Sequence, residues 1–74
     1  MQNIVGPKVK EARKKHNPKL TQAQLAIQLQ LLDWSIDRSG IGKIELGIRQ
    51  VTDIEVQKLS TALNVTVSWL MGED

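Results

Sequence analysis

The residue types that could do chemistry gather in "DRSGIGKIELG", Asp37 to Gly47, where two cations, Arg38 and Lys43, stand with Ser39 and Gly42. If this stretch is a helix that buries Ile41 and Ile44, the four point outward together, at i, i+1, i+4 and i+5. Cationic donors on one exposed helix face suit two uses. They can meet the O6 and N7 acceptors of guanine in a DNA major groove, or they can simply solvate a surface. The residues alone leave both open. Asp37 reads as the helix N-cap rather than a base reader, because its carboxylate can accept from an unpaired N–H of the first turn. Gly40 and Gly42 are the costly residues, since each weakens a helix interior by about 0.5–1 kcal/mol relative to alanine. Both lie on or beside the outward face, where a missing Cβ lets the backbone approach a partner closely.

Other chemistries lack their constellations. His16 is the sole histidine, so no HxxxH pair is available to a metal, and beside Lys14 and Lys15 it reads as a solvated loop residue. There is no cysteine, hence no disulfide and no thiolate ligand. Serines and aspartates fall in unrelated elements, and no glycine-rich phosphate loop occurs. The expectation is a protein that is not an enzyme and uses no cofactor and no metal. A chain of 74 residues has room for one core, so residues 1–74 are taken as one domain. Apolar runs are too short for a membrane span or a signal peptide, and a cytoplasmic protein, nucleoid-associated if prokaryotic, is expected. Charge is unevenly placed. Residues 1–50 hold nine Lys and Arg against four acids, whereas residues 51–74 hold Lys58 against Asp53, Glu55, Glu73 and Asp74. That polarity orients the molecule in the field of a polyanion.

Apolar spacing is helical throughout, with no alternation of period two. A first helix starts near Gly6–Pro7 and runs to about Lys15, with Val9, Ala12 and Arg13 on one face. The loop "HNPKL" follows, because Pro18 disfavours helix at Asn17. The second helix opens at Thr21, where "TQAQ" is a capping box, and buries Leu25, Ala26, Leu29 and Leu32. "LLDWSI" interrupts before the third helix, whose face is expected to carry Ile41, Ile44 and Ile48, with Gly47 as its stop. A second capping box, Thr52 to Glu55, opens the fourth helix, which buries Val56, Leu59, Ser60 and Leu63 and stops at Asn64. Thr66 caps a short fifth helix burying Val67 and Leu70.

Taken in order, "LTQAQLA", "SGIGKIELG" and "KLSTALNVTVSWLMG" resemble the signature segments of the Cro and phage-repressor type of helix-turn-helix protein, the XRE family. The likeness extends from Val5 to Gly72. It implies an all-α, five-helix, lambda-repressor-like domain in which helices 2 and 3 are the DNA-binding unit, helix 3 lying in the major groove. The DNA-facing set it implies is Thr21, Gln22, Arg38, Ser39, Gly42, Lys43 and Arg49. Within that set Gln22 lies near a phosphate, Arg38, Ser39, Gly42 and Lys43 face the groove, and Arg49 touches phosphate from the next loop. Arg13 and Glu45 fall where such proteins often pair helix 1 with helix 3.

The likeness also implies a sequence-specific transcriptional regulator, expected to be a repressor, that inserts helix 3 (about Arg38–Leu46) into double-stranded DNA as a homodimer. Three features depart from the pattern, one of them a loop after helix 1 that is longer than usual. The stretch from Thr21 to Glu45 is several residues longer than usual, which puts the extra chain in "QLLDWS" and leaves Trp34 as a cap on the core that anchors the turn. Leu46 replaces a residue that is usually polar. Val65, Trp69 and Met71, left over once Val67 and Leu70 enter the core, are the expected dimer interface, with Trp69 folding back onto helix 1 or helix 4 as the alternative. The competing function is an adaptor or antitoxin-like interaction module on the same fold, docking through Leu46, Trp34 and "SWLM".

Overall fold

Thr21, Asp37, Thr52 and Thr66 each turn a side-chain oxygen onto a backbone N–H three residues ahead, and each opens a helix. The computed structural model describes residues 4–73, in which α1 spans Val5–Lys15, α2 Gln22–Gln30, α3 Arg38–Glu45, α4 Asp53–Leu63 and α5 Val67–Leu70. No strand occurs among the described residues, so the fold is all-α with five helices. Both capping boxes are closed in both directions, by Gln24 and by Glu55.

The far ends use left-handed residues. Gly47 and Asn64 have φ of 78° and 57°. At Gly47 the Ile48 N–H donates to the Lys43 carbonyl at 2.9 Å and the Gly47 N–H to Ile44 at 3.0 Å. These two bonds satisfy the last carbonyls and swing the chain off the helix axis. Ile48 is therefore not on the Ile41–Ile44 face, and it is 70% exposed.

The centre of the core is Val9, Leu25, Leu29, Ile41, Ile44, Leu59 and Leu70, all fully buried. Helix α1 packs on α3, α4 and α5, and α2 packs on α3 and α4. The C-terminal end departs from expectation. A one-turn helix presents a single side chain squarely to its neighbours, and in α5 that is Leu70. Val67 stays 40% exposed, while Trp69 is half-buried with the Lys8 ammonium 4.5 Å from its ring centre.

The long turn between α2 and α3 is part of the core rather than an appendage to it. Asp33 takes a left-handed φ of 66°, and the Trp34 N–H then returns to the Leu29 carbonyl at 3.0 Å. Trp34 and Ile36 both enter the core, Trp34 as the anchor and Ile36 as a second plug that the irregular segment conceals in the sequence. Leu32, between them and α2, is only partly buried.

Ile36 explains one of the glycines. A Cβ on Gly40 would stand 2.6 Å from Ile36 Cγ1, so Gly40 faces the turn and makes room for it. This corrects the expectation that Gly40 serves an outward approach. A Cβ on Gly42 would meet only the Gln22 amide, at 3.7 and 3.8 Å, which is ordinary van der Waals spacing. The two positions therefore respond to alanine with opposite sign. Gly42→Ala raises unfolding free energy by about 0.5–1 kcal/mol through helix propensity. Gly40→Ala lowers it by about 1–3 kcal/mol, because the buried Ile36 must shift. Denaturant unfolding of both variants checks this, and stabilisation by both would contradict the Ile36 packing.

Candidate nucleic-acid interface

Glu45 closes α3 with a side chain only 4% exposed. Its Oε2 accepts from Arg13 Nε at 2.8 Å, and its Oε1 accepts from Arg13 Nη2 at 3.0 Å and from Gln22 Nε2 at 3.1 Å. The remaining Arg13 arm, Nη1, donates to the Leu20 carbonyl at 3.0 Å. One carboxylate thus joins α1, the start of α2 and the end of α3. Bidentate arginine is the geometry that best offsets the desolvation of a buried carboxylate. Gln22 is held by this bond against α3, beside Gly42.

Above this knot lies an open groove of about 810 Å³. Thr21, Gln22 and Ala23 from the start of α2 line it, together with Arg38, Ser39 and Gly42 from α3 and Arg13, Lys14, Lys19 and Leu20 from the end of α1 and its loop. No carboxylate is among these residues. Five of the seven residues in the DNA-facing set, Thr21, Gln22, Arg38, Ser39 and Gly42, are brought together in this one depression. Lys43 is exposed on α3 immediately beyond it. The Arg38 and Lys43 side chains make no ion pair or hydrogen bond among the described residues, so their donors face solvent.

Arg49 lies in a different cluster. Its Nη1 and Nη2 donate to the two Glu55 oxygens at 3.1 and 2.9 Å, and its guanidinium sits 5.4 Å from the Trp34 ring centre. These bonds hold the Glu55 carboxyl below its ordinary value despite partial burial, and the same bonds raise Arg49. Arg49 therefore stitches the long turn, through Trp34, to the N-terminus of α4.

Lys14 and Lys19 are the groove residues that sequence reasoning misses. Lys14 sits among other lysines of α1, and Lys19 lies in a loop whose path no periodicity specifies. The one signal is position, since Lys19 stands two residues before the Thr21 cap. The C-terminal residues expected at a dimer interface fall into two groups: Val65 and Trp69 are partly buried against the core, and Met71 is 40% exposed. Among the described residues, no three His, Cys, Asp or Glu side chains are grouped to hold a metal ion, and no helix is long and apolar enough to cross a membrane.

Comparison with known proteins gives a match to the helix-turn-helix family model over residues 9–70, from within α1 to the last residue of α5. No curated protein and no solved structure matches the chain.

The Arg49–Glu55 pair carries a pH signature. The Glu55 pKa is lower in the folded protein than its ordinary 4.5, so the pair stabilises fully above that value and is lost as pH falls through the folded pKa. Glu55→Gln keeps a residue competent for the capping box but removes the charge. Unfolding free energies measured from about pH 7 down to about pH 3 should decline less steeply for Glu55→Gln than for the wild type. Identical declines would show that this pair has no part in acid sensitivity.

Proposed function

The chain belongs to the XRE-type helix-turn-helix family of DNA-binding regulators, and from that premise we propose that it is a sequence-specific repressor that inserts α3 into the major groove of duplex DNA as a dimer. The observation that carries this reading is the groove itself. Side chains from the start of α2 and from α3 converge on one open face with cations and the Gln22 amide among its lining residues and no carboxylate. Phosphate contacts position such a protein, and base-edge contacts give it specificity.

In this reading Gln22, tethered by Glu45, offers its second amide hydrogen to a phosphate at the entrance of α2. Thr21 stands beside it at the helix start. Lys43, with Ser39, reaches base edges from the exposed side of α3. Arg38 and Gly42 line the wall where α3 approaches the backbone, and at Gly42 the missing Cβ shortens that approach. Arg49 acts through the turn it holds, keeping α3 at its angle to α2. The two copies meet at the C-terminal end, where Met71 and Val67 are exposed and Val65 and Trp69 flank them.

The adaptor reading loses one of its docking residues, because Trp34 is buried. Leu46 remains 76% exposed, and nothing in the structure accounts for it.

Selection of bound duplexes from a random pool tests the function directly. The wild type should enrich a preferred site, and affinity for that site should fall linearly with log salt, with a slope on the order of −2 to −5 per monomer. Lys43→Ala should cost about 1–3 kcal/mol on the preferred site and flatten one base position. Salt-independent retention with no enriched sequence would overturn the reading.

A further inference from the structure

The lysines and arginines of this chain divide by whether the fold already uses them. Lys8 lies over Trp69, Lys15 pairs with Glu11 at 2.8 Å, Lys58 donates to the Asp33 carbonyl and Arg49 is chelated by Glu55. Lys10, Lys14, Lys19, Arg38 and Lys43 make no such bond among the described residues, and of these Lys14, Lys19 and Arg38 line one groove. Lys14 is on the last turn of α1, Lys19 is on the loop after it, and Arg38 opens α3 on the opposite wall. Three uncompensated cations around one depression repel each other, and that arrangement costs stability unless an anion fills it.

The loop that carries Lys19 is held in place. The Leu20 N–H donates to the Arg13 carbonyl at 3.0 Å, and Arg13 Nη1 donates back to the Leu20 carbonyl at 3.0 Å. His16 Nδ1 donates to the Pro18 carbonyl at 2.9 Å. Lys19 therefore springs from a backbone fixed to the same arginine that binds Glu45, and its reach is set relative to α3. An open groove of about 810 Å³, with cations from α1, its loop and α3 and adjacent to a helix presented to DNA, fits a running phosphodiester strand rather than a discrete small anion.

We propose that Lys14 and Lys19, facing Arg38 across the groove, form a phosphate track that grips one DNA strand outside the base pairs that α3 reads. The inference rests on the duplex-binding reading above and adds to it a footprint extending past the reading helix. The track supplies affinity without sequence preference, because phosphates carry none.

The test uses the full chain and duplexes carrying its selected site. Lys14→Gln with Lys19→Gln should reduce the magnitude of the log affinity against log salt slope by about two per monomer, at about 0.9 for each phosphate no longer neutralised. The base preference of the double variant should stay as in the wild type. The charge-conserving pair, Lys14→Arg with Lys19→Arg, should keep the wild-type slope, which separates a charge effect from a folding defect. Shortening the duplex in steps at its outer end should lower the wild-type slope at one step and leave the Gln double variant indifferent to that step. A wild type that binds with salt dependence while the Gln double variant keeps the full slope overturns the track and leaves duplex binding standing. A wild type with no affinity for duplex overturns the reading on which the track rests.

Discussion

The position of α3 depends on one buried carboxylate. A charge as enclosed as that of Glu45 is tolerable only if its oxygens are fully engaged, and the donors come from two other elements, Arg13 on α1 and Gln22 on α2. The need to satisfy Glu45 therefore sets where three helix ends meet. Helix α1 also meets the α3 backbone directly. A Cβ on Gly6 would stand 2.2 Å from the Ile44 carbonyl oxygen, so α1 can reach α3 only because residue 6 has no side chain. Between the carboxylate knot and this close approach, the last turn of α3 has little freedom, and its outer face is left for other work.

The long turn between α2 and α3 shows how an irregular segment can fix the helix that follows it. Had these residues looped into solvent, α3 would hang on a flexible tether. Instead Asp33 reverses the chain, Trp34 and Ile36 return to the core, and Gln30 Nε2 donates to the Ile36 carbonyl at 3.3 Å. Arg49 and Glu55 then bind the turn to α4 from outside. The turn is thus held by local contacts from α2, α4 and the loop before α4. Gly40 is the matching concession on α3, an empty Cβ position where Ile36 must fit.

What can be read from the residues, and what cannot, follows from range. Helix starts at Thr21, Asp37, Thr52 and Thr66 depend on a hydroxyl or carboxylate and an N–H three residues away, and stops at Gly47 and Asn64 depend on one backbone angle. Such short-range chemistry is visible in a sequence. The buried stripes of α2 and α4 are visible for the same reason, since helical spacing places them, although Ser60 is only partly buried. Ile36 is not visible, because an irregular segment has no period from which a face can be inferred. Ile48 misleads because a left-handed glycine breaks the helical count one residue before it. Val67 misleads because the fifth helix has a single turn. For the candidate site, helical spacing puts Arg38, Ser39, Gly42 and Lys43 on one outward face, whereas Thr21, Gln22 and Arg49 come from the resemblance. Neither can add Lys14 and Lys19 to the same groove, since the placement of the loop depends on how Arg13 holds the Leu20 carbonyl.

On the proposed reading, duplex DNA sits on the face made by the start of α2 and the exposed side of α3. Amide chemical shifts followed by NMR while a selected duplex is titrated into the labelled full chain test it most directly. The largest changes are expected on residues 19–23 and 38–43, with exposed Ile27 on α2 and Leu31 at its C-cap unmoved. Changes concentrated at Ile27 and Leu31, with residues 38–43 undisturbed, would contradict it.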